Sequence, residues 1–204
     1  MASLRLINFT AFAPAQLTTF LTVSVTFLTV SVTFLTVSVT FLTVSVINNY
    51  LCAVKLNRNM IGIANDHAGF HLKVKIMDYL QEKGFTVEDF GTDSPTAVDY
   101  PDYAHPLAQA VEQGRCELGF ALCGTGNGIN ITLNKHQAVR AALCWTPEIS
   151  RLVRAHNNAN ICSMPARFIT DETALAIVDE FLKTPFEGGR HQARIEKIPI
   201  KIDS

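Results

Sequence analysis

The chain has 204 residues, enough for one domain of ordinary size with an extension, and its formal net charge at pH 7 is −1. A nearly neutral chain does not bind nucleic acid through bulk charge. The five cysteines are odd in number, scattered and never spaced as CxxC, which argues against a zinc knuckle or a disulfide framework. We therefore expect reduced thiols in a cytoplasmic protein.

The amino-terminal segment differs in composition from the rest of the chain. Residues 6–54 contain no Asp, Glu, Lys or Arg. The heptapeptide Thr-Phe-Leu-Thr-Val-Ser-Val occurs four times in succession, starting at Thr19, Thr26, Thr33 and Thr40. A period of seven fits a coiled coil, but these residues favour strands and no charges flank a seam.

Three interpretations of this segment remain. The uncharged run exceeds the roughly 20 residues of a membrane span, although three hydroxyl side chains in each repeat weaken that interpretation. A signal peptide would have a shorter apolar region and a clear cleavage site. We favour a recent tandem duplication outside the fold, with Met60 as the original start and no membrane association. The predicted organisation is a non-domain extension over residues 1–59 and one domain over residues 60–204.

The remaining residues alternate between strand and helix patterns. Apolar runs predict strands over residues 60–64, from 85, and over 118–122, 139–144 and 161–164. Periodicity and end signals predict helices over residues 68–83, 100–113, 147–155 and 171–182, with a further helix after residue 128 and a basic tail from 189. This alternation predicts an α/β fold with a five-stranded parallel sheet covered by helices on both faces.

In such a sheet, ligands bind where the strands end, near the point at which the strand order reverses. We therefore expect three segments to meet. They are residues 65–67 after the first strand, residues 123–128 after the third, and residues 156–158 just before the fifth.

The hexapeptide Cys123-Gly-Thr-Gly-Asn-Gly128 is the strongest candidate for chemistry. It places a thiol between a buried strand and the start of a helix, where backbone N–H groups and the helix dipole favour an anion and the thiolate form. The spacing excludes a dinucleotide fingerprint and a Walker loop, and Ile129 stands where a phosphatase loop requires Arg. A buried structural Cys is the alternative, but it would not need the glycines that follow.

Other candidates have an ordinary structural explanation as well. Asp66 can transfer a hydroxyl proton, although its local sequence favours an N-cap. His67 can meet an anion at the helix start, and His156 can interact with the carboxyl end of a helix. Tyr100 is also explained as a packing aromatic.

Three arginines are candidate phosphate ligands, namely Arg167, Arg190 and Arg194. The last two are four residues apart, so one helical face would carry both. A solvated basic tail is the simpler explanation for an isolated pair.

Taken together, these residues resemble the family of ribose-5-phosphate isomerase B and the galactose-6-phosphate isomerase subunits. The resemblance covers about residues 60–198. It is carried by segments 62–69, 99–101, 123–128 and 134–135, by residues 156–157 with 160, and by residues 187–192 with 194. It implies a Rossmann-like three-layer sandwich and a homodimer, or a tetramer, with shared active sites. It also implies interconversion of ribose 5-phosphate and ribulose 5-phosphate without a metal or a cofactor.

The resemblance also implies a role for each site residue. Cys123 is implied to be the base that moves a proton between C2 and C1, and Asp66 and His156 are implied to serve ring opening. The groups implied to hold the enediolate are Thr125 and the backbone N–H groups of Gly124, Gly126, Asn127 and Gly128. The implied phosphate ligands are His67, Arg167, Arg190 and Arg194, and the implied sugar contacts are Tyr100 and Asn157.

Two alternatives stay open. One is a galactose-6-phosphate isomerase subunit, and the other is a non-catalytic sugar-phosphate-binding module on the same fold.

Overall fold

The computed structural model describes residues 59–200. The predicted extension with its four repeats lies outside these residues, so the proposed boundary at Met60 stays a prediction. Among the helices of the described part of the chain, none has both the length and the apolar character needed to cross a bilayer.

Residues 59–200 form five strands and six helices, which alternate up to the last two helices. In order, they are β1 Met60–Asn65, α1 Phe70–Glu82, β2 Thr86–Asp89, α2 Tyr100–Glu112, β3 Leu118–Cys123, α3 Asn127–Leu133, β4 Ala141–Leu143, α4 Pro147–Asn157, β5 Ile161–Pro165, α5 Asp171–Lys183 and α6 Arg190–Ile195.

The strands form one sheet with the order β2-β1-β3-β5-β4, and every neighbouring pair is parallel. Apolar side chains of α1, α4 and α5 cover one face, around Phe120 and Phe181. Those of α2 and α3 cover the other face, around Leu107 and Ile129. The predicted three-layer α/β fold is therefore confirmed. The strand order reverses between β1 and β3, which defines the crevice expected to bind ligand.

Several predicted boundaries differ from those observed. The helix predicted from residue 68 begins at Phe70, because Asp66 caps a short 3-10 turn over His67–Gly69 instead. The strand predicted from Val139 begins at Ala141, because the amide of Asn160 holds the preceding backbone in a loop. Its Oδ1 accepts from the N–H of Arg140 and its Nδ2 donates to the carbonyl of Ala138. The basic tail contains α6.

Candidate active site

Asp66 lies directly after β1, at the reversal point of the sheet. Its backbone N–H donates to the carbonyl of Leu122 at 3.1 Å, which ties it to the end of β3. Its Oδ1 accepts from the N–H groups of Ala68 at 2.9 Å and Gly69 at 3.2 Å. The predicted capping role is confirmed for this oxygen. Both bonds go to Oδ1, so Oδ2 is the oxygen that remains for chemistry.

His67 follows at the start of the same turn. Its Nδ1 accepts a hydrogen bond from the backbone N–H of Val98 at 3.3 Å. That bond leaves Nε2 as the nitrogen that can donate to an anion. His67 is therefore positioned by the loop that leads into α2.

Cys123 is the last residue of β3 and is 4% exposed. The backbone N–H of Gly126 donates to its sulfur at 3.1 Å. Gly126 has φ +73°, and a Cβ there would lie 2.4 Å from Cδ1 of Leu143 and 3.0 Å from the carbonyl carbon of Met164. Only glycine fits this position, so the turn that reaches the sulfur depends on it.

The two polar side chains of the hexapeptide face outward. Thr125 and Asn127 are exposed, and the Oγ1 of Thr125 accepts from the N–H of Asn127 at 3.4 Å. The helix that follows begins at Asn127, two residues earlier than the first predicted helical residue. These two side chains are therefore accessible beside a nearly buried sulfur.

Arg167 and Tyr100 flank the Cys123 loop. The backbone N–H of Arg167 donates to the carbonyl of Gly124 at 3.2 Å, and a Cβ on Gly124 would lie 3.4 Å from the Nε of Arg167. The Tyr100 ring lies against Gly128, where a Cβ would lie 2.7 Å from Cζ. One edge of the sheet thus brings together Asp66, His67, Tyr100, Arg167 and the whole loop of residues 123–128.

His156 lies at the opposite edge of the same chain. Cys123 pairs with Pro165, the last residue of β5, whereas Ile161 pairs with Gly119 near the start of β3. Four residues of strand separate the two edges by about 13 Å, and His156 precedes Ile161. The expectation that residues 156–158 join the other two segments is therefore wrong within one chain, because a strand begins and ends at opposite edges.

A second cluster of polar side chains occupies that opposite edge. The rings of His156 and His191 stack with centroids 4.3 Å apart and planes inclined by 4°. The Oε2 of Glu187 lies 3.8 Å from the Nε2 of each ring. Burial lowers the pKa of His191 below its ordinary value, and neighbouring cationic side chains add to this shift.

The remaining predicted contacts belong to this second cluster. Arg190 and Arg194 lie on α6, and the Nε of Arg190 donates to the Nε2 of His191 at 3.5 Å. Asn157 ends α4 and lines a cavity of about 340 Å³ together with residues 198–200. The contacts of Glu187 and His191 with His156 are not predicted from the sequence. The only local signal is that both residues lie close to Arg190 along the chain.

The chain is similar to known proteins in both sequence and structure. The family model described as Ribose/Galactose Isomerase matches residues 61–198. The ribose-5-phosphate isomerase B of Escherichia coli K12 is 44% identical over 138 residues, which are 68% of this chain and 93% of that protein.

Two solved structures are similar as well. One is a ribose 5-phosphate isomerase from Thermotoga maritima, with a TM-score of 0.68 and 52% identity over 69% of this chain and 97% of that one. The other is ribose-5-phosphate isomerase B from Mycoplasma genitalium with bound ribulose-5-phosphate. It has a TM-score of 0.66 and 44% identity over 68% of this chain and 93% of that one. The chain belongs to the ribose/galactose isomerase family.

Proposed function

We propose that this chain interconverts D-ribose 5-phosphate and D-ribulose 5-phosphate through an enediolate, as a cytoplasmic enzyme of pentose phosphate metabolism. The carrying observation is the nearly buried Cys123 sulfur, which accepts the Gly126 N–H at 3.1 Å at the reversal point of the sheet. Relatives that share 44–52% of aligned residues bear the name of this enzyme. The cysteines of residues 59–200 are unpaired, as in a reducing compartment.

In the proposed proton transfer, the Cys123 thiolate acts as the base. Cys123 removes the proton from C2 of the open-chain aldose, and the C–H electrons form the C1–C2 double bond while charge moves onto O1. The sulfur then returns the proton to C1, O1 regains a proton and O2 loses one to become the ketone. A positioned base contributes typically 10²–10⁴-fold to such a step.

The loop of residues 124–128 stabilises the charge that develops on the enediolate. The N–H of Gly126 donates to the sulfur, the Thr125 side chain next to it in sequence is exposed, and the turn is fixed by the glycine at position 126. Removing one preorganised donor from a comparable oxyanion site costs about 3–4 kcal/mol. Oxyanion stabilisation is therefore the largest contribution that this loop can make.

Ring opening and phosphate binding need groups from both edges of the sheet. Asp66 and His156 are proposed to open the ring, with Tyr100 and Asn157 on the sugar hydroxyls. His67, Arg167, Arg190 and Arg194 are proposed to hold the phosphate. Within one chain, the length of the strands separates these two groups of residues.

A second copy of the chain removes this separation. In a two-fold symmetric dimer, the Cys123 edge of one copy can face the His156 edge of the other, and symmetry repeats the arrangement. We therefore propose a homodimer, alone or paired into a tetramer, with active sites shared between subunits. The division of the proposed groups between the edges is the observation that favours it.

The family also includes galactose isomerases, so a six-carbon substrate is the second candidate. The thiol, the His156 cluster and the α6 arginines all occur in this one chain, which favours an assembly of identical subunits. Comparing turnover of ribose 5-phosphate with that of galactose 6-phosphate separates the two.

Solvent-deuterium exchange tests the proposal against a non-catalytic binding module. The protein in D₂O is expected to place deuterium at C2 of ribose 5-phosphate and C1 of ribulose 5-phosphate. The Cys123→Ala variant is expected to bind the sugar phosphate without exchange. Binding by the unaltered protein without any exchange would support the module, and full exchange by the variant would remove Cys123 as the base.

A further inference from the structure

The cluster of His156, Glu187 and His191 has the composition of a metal site. Two imidazole nitrogens and one carboxylate oxygen lie within 4.8 Å of one another. They come from the end of α4, the loop before α6 and α6 itself. The backbone N–H of Glu187 donates to the carbonyl of Ala155 at 3.0 Å, which anchors that loop to the last turn of α4. We propose that these three side chains bind a divalent transition-metal ion such as Zn²⁺, and that the bound ion inhibits the chain.

The distances are close to those that a tetrahedral ion imposes. Zinc lies about 2.0–2.2 Å from nitrogen and oxygen ligands, which places two tetrahedral ligand atoms about 3.3–3.5 Å apart. The Oε2 of Glu187 is already 3.8 Å from each Nε2. Binding requires these two distances to shorten by a few tenths of an ångström. The stacked rings must also rotate away from parallel, so that their two nitrogens, which lie within 4.8 Å of each other, converge on the ion. His156 is partly exposed and Glu187 is 54% exposed, so both side chains have room to move.

The ligand types select the class of ion. Imidazole suits Zn²⁺, Cu²⁺ and Ni²⁺, whereas Mg²⁺ and Ca²⁺ prefer oxygen ligands throughout. Three protein ligands leave a fourth position for water.

Arg190 opposes the ion and limits its affinity. Its Nε donates to the Nε2 of His191 at 3.5 Å, and this bond must break for the nitrogen to face a metal. The guanidinium carries a positive charge that repels the ion. The site is therefore expected to exchange its ion readily and not to hold it as a structural centre.

The other histidine cluster of the described chain lacks this geometry. The Nε2 of His136 contacts the Nδ1 of His105 at 2.9 Å, and the Nδ1 of His136 contacts Glu112 at 2.8 Å. Both ring nitrogens of His136 are thus engaged in series and do not converge on one point. This cluster supplies a matched control of similar composition.

Inhibition follows from the identity of one ligand. A metal on the Nε2 of His156 removes the lone pair that would carry a proton during ring opening. This consequence rests on the proposed isomerase function, whereas the binding of metal does not.

Co²⁺ titration of the full 204-residue chain tests the site, since its visible absorption reports both binding and coordination. We expect one ion per chain, displacement by Zn²⁺, and affinity about tenfold weaker or worse in Glu187→Gln and in His191→Gln. Glu187 is the safer position for folding, because its side chain is exposed. His136→Gln is expected to retain the affinity of the unaltered chain.

Three results would overturn the proposal. They are the absence of Co²⁺ binding, unchanged affinity in Glu187→Gln, and a thiolate-to-cobalt charge-transfer band that assigns the ion to Cys123. Isomerase assays with added Zn²⁺, each variant compared with its own metal-free rate, test inhibition separately. If Co²⁺ binds as expected and no isomerase activity exists, the site stands and only the proposed function fails.

Discussion

The Tyr100 ring lies directly on the backbone of Gly128. A methyl group at Gly128 would lie 2.7 Å from Cζ and 2.9 Å from Cε1 of the ring, well inside van der Waals contact. Tyr100 begins α2 and Gly128 lies in the first turn of α3, so this contact sets the distance between two helices beside the Cys123 loop.

Gly128→Ala is expected to destabilise the chain by about 1–3 kcal/mol through overpacking. In a Tyr100→Ala background the same change loses its obstacle, and the better helix propensity of alanine makes it neutral or stabilising by up to about 1 kcal/mol. Urea unfolding of the four proteins measures this coupling. Equal destabilisation in both backgrounds would show that the ring is not the obstacle.

Lys73 is a buried cation that holds the loop after β2. Its ammonium group donates to the Oδ2 of Asp89 and to the carbonyl of Thr92, each at 2.7 Å, and its side chain is 3% exposed. Lys73→Met is expected to lower the free energy of unfolding by about 1–3 kcal/mol, because a buried carbonyl loses its charged donor.

The same helix offers the matched control. Lys75 pairs with Asp171, but its side chain is 54% exposed. Lys75→Met is expected to change the free energy of unfolding by about 1 kcal/mol or less, since exposed ion pairs contribute little. Chemical denaturation that finds equal losses for the two variants would contradict the importance of burial.

The hydrogen bonds to Glu112 lead us to expect a loss of stability in acid. The hydrogen bond from His136, with a further one from the N–H of Ala138, lowers the pKa of Glu112. The unfolded chain binds this proton more tightly, so the contribution is complete above the unfolded pKa of about 4.3 and is lost as pH falls through the lower folded pKa. Below about pH 5, the Tm of the unaltered protein should fall more steeply than that of Glu112→Gln. Parallel Tm curves would contradict the assignment.

The proposed homodimer with shared active sites predicts complementation between inactive variants. Cys123→Ala and His156→Ala damage opposite edges, so a mixed dimer contains one intact site and one doubly damaged site. Random reassociation of the two inactive proteins should restore roughly a quarter of the unaltered activity, since half of the dimers are mixed.

A mixture of Asp66→Asn with Cys123→Ala is the matched control for this experiment. Because Asp66 and Cys123 lie at the same edge, every site in their mixed dimer carries a defect. No recovery of activity is expected from that mixture. Recovery there, or none with His156→Ala, would contradict the sharing of sites.

The existence of each strand was easier to predict from the sequence than its first and last residues. Continuous apolar runs identified β1, β3 and β5, because both faces of the sheet are covered. The prediction for β4 was too long, because the side chain of Asn160 binds the backbone N–H of Arg140 and keeps the predicted start of the strand in a loop. Asn160 is distant from Arg140 in sequence, so no local pattern indicates this contact. The contact of Lys73 with Thr92 gave no local signal either.

The two parts of the proposed site differ in the same way. The loop of residues 123–128 was recognisable because a thiol, three glycines and a helix start are adjacent in sequence. The position of His156 was already implied by the predicted parallel sheet, because a residue that precedes β5 lies at the edge opposite to residues that follow β1 and β3. Its stacking on His191 depends on the chain returning through α5 and then α6.

The two N–H bonds to Asp66 have a stereochemical consequence. A carboxyl group whose Oδ1 is held by the amides of Ala68 and Gly69 presents a single oxygen, in one orientation, to anything above it. A proton can therefore join or leave only at Oδ2, along a direction fixed by one turn of backbone. The fold itself thus determines the direction from which this carboxyl group can be approached, before any side chain moves.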